Sequence, residues 1–207
     1  MAERAARDSA GREAGRVIAG RAAGRRLLGA GGATRPLTDR VKQTLFAILE
    51  PSLVGANFLD LCAGTGAGAI EALSRGAVSA VLVERDPQAI RTISANLART
   101  GLAGPRVSVV RADALAWLAS PEAAASGPFE LVLLDPPYDD PALLANLLAR
   151  LGGSAGSALL ADRATVVAKH FWRSAPPAAI GLLRSNRERR FGETTLTFYG
   201  RVATEDE

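Results

Sequence analysis

From residue 56 onward, short apolar runs alternate with segments whose apolar residues recur every three or four positions. The first pattern is typical of buried β-strands and the second of amphipathic helices. The strands are predicted at Phe58–Cys62, Ala80–Glu84, Arg106–Arg111, Leu131–Leu134 and Thr165–Ala168. The helices are predicted at Ala67–Ser74, Pro87–Thr100, Ala114–Leu118 and Pro141–Leu151. This alternation predicts a parallel sheet with helices on both faces.

The C-terminal segment breaks the alternation. Ala179–Arg184 and Thr194–Arg201 predict a closing antiparallel pair of strands, joined by a basic turn from Ser185 to Gly192. The arginines of this region, which fit either RNA contact or a solvated loop, are Arg184, Arg187, Arg189 and Arg190. Together these elements predict an α/β fold with a mostly parallel, seven-stranded, doubly wound sheet.

The N-terminal segment has a different organisation. Residues 1–15 lack periodicity and are predicted to form a disordered tail. Arg16–Ala19 and Arg25–Leu28 flank a glycine-bounded turn, which predicts a hairpin. Thr38 or Asp39 can cap a following helix. The apolar face of that helix comprises Val41, Leu45, Ile48 and Leu49.

Charge distinguishes this segment from the remainder of the chain. Residues 1–50 carry ten Lys or Arg against five Asp or Glu, whereas residues 51–207 carry fifteen against sixteen. A basic arm of this kind is typical of proteins that contact phosphates. We therefore expect a basic, nucleic-acid-binding extension at 16–50, made of the hairpin and the helix, followed by one domain at 51–207.

Composition excludes several classes of protein. One cysteine, Cys62, permits no internal disulfide and fits a reducing compartment. The N-terminus has no apolar core typical of a signal peptide, and no run of about 20 apolar residues could span a bilayer. We expect a cytoplasmic protein with no membrane partner and no metal site. Cys62 and the lone His170 are expected to pack rather than to catalyse, as are Trp117 and Trp172.

The tetrapeptide Asp135-Pro136-Pro137-Tyr138 directly follows a predicted strand. Two prolines stiffen the loop and remove two backbone N–H donors, which leaves carbonyl acceptors beside a carboxylate and an aromatic ring. Such a loop can accept hydrogen bonds from an –NH2 group while its ring stacks on the flat group that carries the amine. The sequence therefore predicts a clamp for the exocyclic amine of a nucleobase or for an amide.

A glycine-rich loop follows the first strand of the domain, in Asp60-Leu61-Cys62-Ala63-Gly64-Thr65-Gly66. Its glycines allow a tight turn and close approach of a ligand, but nicotinamide and flavin enzymes use similar loops. Asp60 favours a cationic ligand such as S-adenosylmethionine, because a carboxylate would repel a pyrophosphate at the helix N-terminus. Glu84, after the second strand, fits two ribose hydroxyls, and Asp113, after the third, fits either an adenine amine or a helix cap.

These motifs, in this order, resemble those of class I S-adenosylmethionine-dependent amino-methyltransferases, a Rossmann-like fold. The resemblance narrows to the RsmD family, which methylates N2 of one guanine in bacterial 16S ribosomal RNA. The segments that carry it are Arg16–Gly20, Gly24–Leu27, Arg35–Phe46, Leu73–Ala77 and the Arg190-x-Gly-x-Thr-x-Leu motif. The Arg-Pro-x-Thr-Asp-Arg-Val block at Arg35 is the most specific of these.

The resemblance implies a methyltransferase domain at 51–207, S-adenosylmethionine as cofactor, and a monomer that acts on the small subunit or its late assembly intermediate. The implied catalytic residues are Asp135, Pro136, Pro137 and Tyr138. The implied cofactor-binding residues are Asp60, Ala63, Gly64, Thr65, Gly66, Glu84, Asp113 and Ala114. The implied RNA-binding residues are Arg21, Arg25, Arg35, Thr38, Asp39, Arg40 and Lys42.

The chain departs from the family pattern at two positions. Leu37 stands where Thr or Ser is usual, and the fifth strand continues into Lys169 and His170 where a Glu is common. Three alternatives remain: N6-adenine methylation, glutamine-amide methylation, and a non-catalytic RNA-binding assembly factor. The sequence also leaves open whether Asp135 removes a proton or only orients the amine.

Overall fold

The computed structural model describes residues 13–31 and 37–202. Its strands are β1 (Glu13–Arg16), β2 (Arg26–Leu28), β3 (Asn57–Leu61), β4 (Ser79–Glu84), β5 (Val107–Arg111), β6 (Phe129–Leu134), β7 (Leu160–Phe171), β8 (Ala179–Ile180), β9 (Leu183–Phe191) and β10 (Thr194–Arg201). Its helices are α1 (Asp39–Leu49), α2 (Ala67–Ser74), α3 (Pro87–Thr100), α4 (Ala114–Leu118), α5 (Pro121–Ser126), α6 (Pro141–Gly152) and α7 (Ser154–Leu159), with a 3-10 turn at Glu50–Ser52. Within these ranges, no helix combines the length and apolar character needed to cross a membrane.

The large sheet has the strand order β5-β4-β3-β6-β7-β10-β9-β8. The first five strands in this order run parallel and the last three are joined antiparallel. The predicted α/β architecture is confirmed, with eight strands in place of seven because the two-residue β8 forms a separate edge strand. Parallel strands place their carboxyl ends at one edge of the sheet, where open α/β folds bind their ligands.

The predicted basic turn at Ser185–Gly192 is wrong, because most of this segment is strand β9. Its partner β10 faces it from Thr194 opposite Phe191 to Arg201 opposite Leu183. The turn itself is only Gly192-Glu193, and the φ of +61° at Gly192 suits a tight two-residue hairpin. The predicted N-terminal tail is also too long, since Glu13–Arg16 forms β1; residues 1–12 lie outside the described ranges.

The N-terminal hairpin docks on α2 and α3 through side-chain contacts to its backbone. The buried Glu71 accepts hydrogen bonds from the amides of Ile18 (2.7 Å) and Ala19 (3.0 Å). Ser74 Oγ donates to the carbonyl of Ala19, and Asn96 pairs with both backbone groups of Leu28. Because these bonds satisfy buried donors and acceptors, we expect the hairpin to hold a fixed position against the domain.

Gly20 and Gly24 of the hairpin provide a matched test of this docking. Both have positive φ, +83° and +79°, but a Cβ at Gly20 would lie 1.9 Å from the Ser74 carbonyl oxygen, whereas one at Gly24 meets nothing within 4 Å. Gly24→Ala should cost only the left-handed backbone penalty of about 1–2 kcal/mol. Gly20→Ala should cost at least about 3 kcal/mol in urea unfolding and should increase hydrogen exchange at the Ile18 and Ala19 amides. Equal losses for the two variants would contradict the docked geometry.

Candidate active site

The carboxyl ends of strands β3, β4, β5, β6 and β7 surround one cavity of about 1050 Å³. The predicted residues that line it are Asp60, Ala63, Gly64, Thr65, Glu84, Asp113, Ala114, Asp135, Pro136, Pro137 and Tyr138. Leu37, Lys169, Phe171 and Glu193 complete parts of the wall. The structure therefore brings the proposed amine clamp and the proposed cofactor residues into one cavity, except for Gly66, which does not line it.

The glycine loop after β3 turns sharply before α2. Cys62, Gly64 and Gly66 all have positive φ, at 63°, 57° and 76°. Gly66 forms the N-cap of α2, and Thr65 is buried beneath the loop, where its carbonyl accepts from Asn96. A Cβ at Gly68 would lie 2.6 Å from Leu133 and 2.9 Å from Asp60 Oδ2, so only glycine allows the helix to approach the sheet this closely.

Asp60 lies at the base of the loop and is 2% exposed. Its Oδ2 accepts a hydrogen bond from the amide of Ala69 in the first turn of α2 (2.9 Å). Burial raises the pKa of this carboxyl well above its usual value, and nearby Asp135 and Glu84 add to the rise. A cationic ligand in the cavity would favour the ionised form, so this carboxyl suits a positively charged group.

Glu84 ends β4 and joins that strand to the glycine loop. Its Oε2 accepts from the Gly64 amide (2.9 Å), and its Oε1 accepts from the amides of Arg85 (2.8 Å) and Asp86 (3.0 Å). These bonds fix the carboxylate at the cavity wall. Each carboxylate oxygen can accept more than one hydrogen bond, so the arrangement is compatible with hydroxyl donors from a ribose.

Asp113 caps a helix and also lines the cavity. Its Oδ1 caps α4 by accepting from the amides of Leu115 (3.0 Å) and Ala116 (3.1 Å). The residue also lines the cavity, beside Ala114, the first residue of that helix. Both cap bonds use Oδ1, so Oδ2 is not needed for the cap.

The Asp135–Tyr138 loop extends β6 past the edge of the sheet. The Asp135 amide donates to the Leu61 carbonyl (3.2 Å), which ties the loop to β3. The Tyr138 hydroxyl lies 2.7 Å from Thr194 Oγ1 at the start of β10, which anchors the ring at the cavity. A carboxylate and an aromatic ring are thus held on one rigid loop, as a clamp for a planar amine requires.

Lys169 of β7 makes a contact that sequence reasoning missed. Its Nζ lies 2.5 Å from Asp135 Oδ1 and 5.0 Å from the centroid of the Tyr138 ring, and its side chain is only 6% exposed. The two residues of the pair are 34 positions apart in the chain, so no spacing rule connects them. The departure from the family pattern at Lys169 was the signal that could have indicated a role in this site.

The Lys169–Asp135 pair sets the charge of the clamp. Burial raises the pKa of the Asp135 carboxyl, and the Lys169 ammonium counteracts part of that rise. Burial lowers the pKa of Lys169, but Asp135 and Tyr138 raise it by more, so the pKa lies above its usual value. Lys169 therefore favours the ionised form of Asp135 while it occupies Oδ1, which leaves Oδ2 for an incoming amine.

The proposed RNA-binding residues divide into exposed and internal groups. Arg21, Arg25 and Arg40 are exposed, although Arg25 also donates to the Arg99 carbonyl at the end of α3. Lys42 is completely buried and donates to the Arg16 carbonyl, so the prediction that it contacts RNA is wrong.

Two other members of that predicted set have structural partners. Thr38 caps α1, and Asp39 pairs with Arg16 and Lys42, which ties the helix to the hairpin. Arg35 lies outside the described residues.

The remaining sequence candidates are packed or partly buried. Burial raises the pKa of the Cys62 thiol to about 12, so it stays protonated at neutral pH and is a poor nucleophile. His170 is buried, with Nε2 at 2.9 Å from Thr197 Oγ1. Trp117 is part of the apolar core between the sheet and α4, α6 and α7. None of these three residues requires a catalytic role.

Several known proteins are similar to this chain. A family model described as conserved hypothetical protein 95 matches residues 15–200. The Escherichia coli K12 protein named ribosomal RNA small subunit methyltransferase D is 34% identical over 171 residues, covering 82% of this chain and 80% of that protein. The Bacillus subtilis protein named "Putative rRNA methyltransferase YlbH" is 37% identical over 170 residues, covering 82% of this chain and 89% of that protein.

A solved structure extends the similarity to three dimensions. The Escherichia coli protein described as "Putative methyltransferase yhhF" superimposes with a TM-score of 0.77 at 33% identity. The match covers 91% of this chain and 98% of that structure. The family model, which matches residues 15–200, spans residues of the N-terminal hairpin as well as the large sheet.

Proposed function

This chain belongs to the RsmD family, and from that membership we propose that it methylates the exocyclic N2 amine of a guanine in 16S ribosomal RNA. The methyl donor is S-adenosylmethionine. The substrate in this proposal is the small subunit or its late assembly intermediate. The observation that carries the proposal is that the Asp135–Tyr138 clamp and the acids Asp60, Glu84 and Asp113 open into one cavity.

The residues of the cavity fit S-adenosylmethionine. Asp60 is a buried carboxylate whose ionised form a cation would stabilise. Glu84 would hold the ribose hydroxyls and Asp113 the adenine amine, and the glycine loop permits close approach. When bound, the cofactor supplies a methyl group already activated by its sulfonium. Every one of these groups comes from one chain, so we propose that a monomer is sufficient.

In this proposal, the Asp135–Tyr138 clamp makes the guanine N2 amine a better nucleophile. The lone pair of a guanine N2 amine is delocalised into the ring, so the planar amine attacks poorly. Asp135 Oδ2 and the Pro136 carbonyl would accept its two hydrogens and direct the lone pair toward the cofactor side of the cavity. Tyr138 would stack on the base, a contact worth on the order of 1–3 kcal/mol. Positioning of this kind is the main source of acceleration for an already activated methyl group.

We propose that Asp135 orients the amine rather than serving as a strong base. Its Oδ1 already accepts from the Lys169 ammonium, and a buried carboxylate paired with a cation is a weaker proton acceptor than the same carboxylate unpaired. Its negative charge still stabilises the positive charge that develops on nitrogen during transfer. After transfer the methylated nitrogen carries a positive charge and is far more acidic, so its proton can pass to a water molecule.

The substrate class is tested with S-adenosylmethionine carrying a tritiated methyl group. Unmodified small subunits, naked 16S ribosomal RNA and duplex DNA are incubated separately with the protein. We expect label in RNA of the small subunit. Label found only in DNA or in a protein glutamine would contradict the proposal, and cofactor binding without label in any substrate would indicate a non-catalytic RNA-binding factor.

A further inference from the structure

Trp172, just after β7, is packed against two guanidinium groups. The Cζ of Arg190 lies 3.9 Å from the centroid of the Trp172 ring, and the Cζ of Arg173 lies 4.7 Å from it. Both arginines are exposed, and within the described part of the chain neither forms an ion pair with a carboxylate. Exposed cations of this kind are available to an external anion.

Arg190 is held in a fixed orientation. Its Nε donates to the Gly192 carbonyl (2.9 Å) in the β9–β10 turn, while its plane packs on the indole. This leaves both Nη groups for another acceptor. A guanidinium whose position is fixed by stacking loses less conformational entropy when it binds, and its planar N–H edge matches the geometry of a phosphate.

The pair of arginines lies next to the cavity that contains the amine clamp. Trp172 follows Phe171, which lines the cavity, and their ring centroids are 6.2 Å apart. Phe171 in turn lies 6.5 Å from the Tyr138 ring. The Trp172 amide donates to the carbonyl of Glu193, another residue of the cavity wall. A nucleotide strand whose base enters the cavity would therefore pass these arginines.

The charge of β9 favours a polyanion over a single small anion. This strand carries four arginines and one glutamate, Glu188. After Arg190, the next acidic residue in the sequence is Glu193, in the adjoining turn. The excess of positive charge beside an aromatic group is the combination that single-stranded nucleic acid backbones require.

We propose that Trp172, Arg173 and Arg190 form a phosphate-binding fork that holds the RNA backbone next to the methylated nucleotide. The proposal rests on the proposed function, since it places the fork on the same substrate. The N-terminal hairpin docks on α2 and α3, which pack on β3 to β5, whereas the fork lies beyond β7. RNA held by both would therefore cross the cavity from one flank of the sheet to the other.

The test is the salt dependence of equilibrium binding to naked 16S ribosomal RNA, measured by filter binding across a series of KCl concentrations. In Arg173→Gln/Arg190→Gln, the slope of log K against log[KCl] should become shallower by about 1 for each lost phosphate contact. The matched control is Arg150→Gln/Arg163→Gln, which removes the same charge from exposed arginines near the C-terminal end of α6 and the N-terminal end of β7, whereas Trp172 follows the C-terminal end of β7. Its slope should stay at the wild-type value.

Trp172→Leu separates a built fork from simple surface charge, because it keeps both arginines. We expect it to weaken RNA binding several-fold at fixed salt while circular dichroism and cofactor binding stay at wild-type values. Wild-type RNA affinity in Trp172→Leu, or equal slope changes in the two double variants, would overturn the fork. Equally tight binding of polyglutamate that competes with RNA at the fork would also overturn it, in favour of an acidic peptide site.

These binding measurements do not depend on catalysis. If the wild-type protein transfers no methyl group but the fork variants alone change the salt slope, the fork stands and the proposed function fails. If methyl transfer occurs and the slope of the fork variants is unchanged, the fork fails and the proposed function stands.

Discussion

Asp135→Ala should lower the rate of methyl transfer at saturating substrate by about 10²–10³-fold. The variant loses the acceptor that holds the amine and the negative charge that stabilises the developing positive nitrogen. Because the Asp135 side chain bonds to Lys169 and forms no hydrogen bond with the glycine loop or Glu84 in the described structure, the dissociation constant of S-adenosylmethionine should change by less than about tenfold. Single-turnover kinetics and isothermal calorimetry measure the two quantities separately.

Asp135→Asn is the matched variant, because it separates loss of the carboxylate from loss of the partner of Lys169. Asparagine keeps one acceptor oxygen for the Lys169 ammonium, so it avoids leaving a buried cation without a partner, but it presents an –NH2 donor where the clamp needs the second oxygen. We therefore expect Asp135→Asn to lose about as much activity as Asp135→Ala while it retains more of the stability of the wild-type protein in urea unfolding. Near wild-type activity in Asp135→Asn would show that the carboxylate is not needed, and full activity in Asp135→Ala would contradict the clamp itself.

Lys169→Met should move the acidic limb of the pH–rate profile to higher pH. Only the ionised form of Asp135 can accept from both Lys169 and the amine, so activity falls as pH drops through the Asp135 pKa, which burial already raises. Without the ammonium, that pKa rises further, and more of the carboxyl is protonated at neutral pH. Activity lost at neutral pH should therefore return as the pH is raised, in a profile of kcat/KM.

Lys169→Arg is the control for this pH effect, because it retains a positive charge beside Asp135. Its acidic limb should stay near that of the wild-type protein, even where its bulk lowers the maximum rate. A Lys169→Met variant with the wild-type profile would show that the ion pair does not control the ionisation of the clamp. A rate loss in Lys169→Met that no pH restores would point to a purely structural role.

The parallel part of the fold was predictable because local signals and burial agree there. The predicted bounds of α2, Ala67–Ser74, and of α3, Pro87–Thr100, match the observed helices. In α3, Asp86 caps the first turn and Gly101 ends the helix in a left-handed conformation, both of which are local sequence signals.

Strand β9 was not predictable by the same reasoning. Most of its residues are exposed and charged, so they carry no alternating apolar pattern, and its strand state depends on pairing with β10. The short helices α5 and α7 were missed for a related reason. Their Ala-, Ser- and Gly-rich sequences contain too few large apolar residues to define an amphipathic face.

Some residues of the candidate site could likewise be predicted from the sequence, and others could not. Asp60, Glu84, Asp113 and Asp135 could be placed at one cavity because parallel strand order alone brings their strand ends together. The partner of Asp135 was not identified in this way, because the sequence does not define the register that pairs Leu134 of β6 with Ala168 of β7 and so places Asp135 beside Lys169. The burial of Lys42 could not be predicted either, because it depends on how α1 packs against the hairpin.

The central claim is that this protein methylates the N2 amine of guanine in small-subunit RNA. The most direct measurement is mass spectrometry of nucleosides from RNA of unmodified small subunits, after incubation with the protein and isotopically labelled S-adenosylmethionine. The account predicts labelled N2-methylguanosine with wild-type protein and its near absence with Asp135→Ala. Labelled N6-methyladenosine, or a labelled guanosine whose methyl group is on another atom, would contradict it.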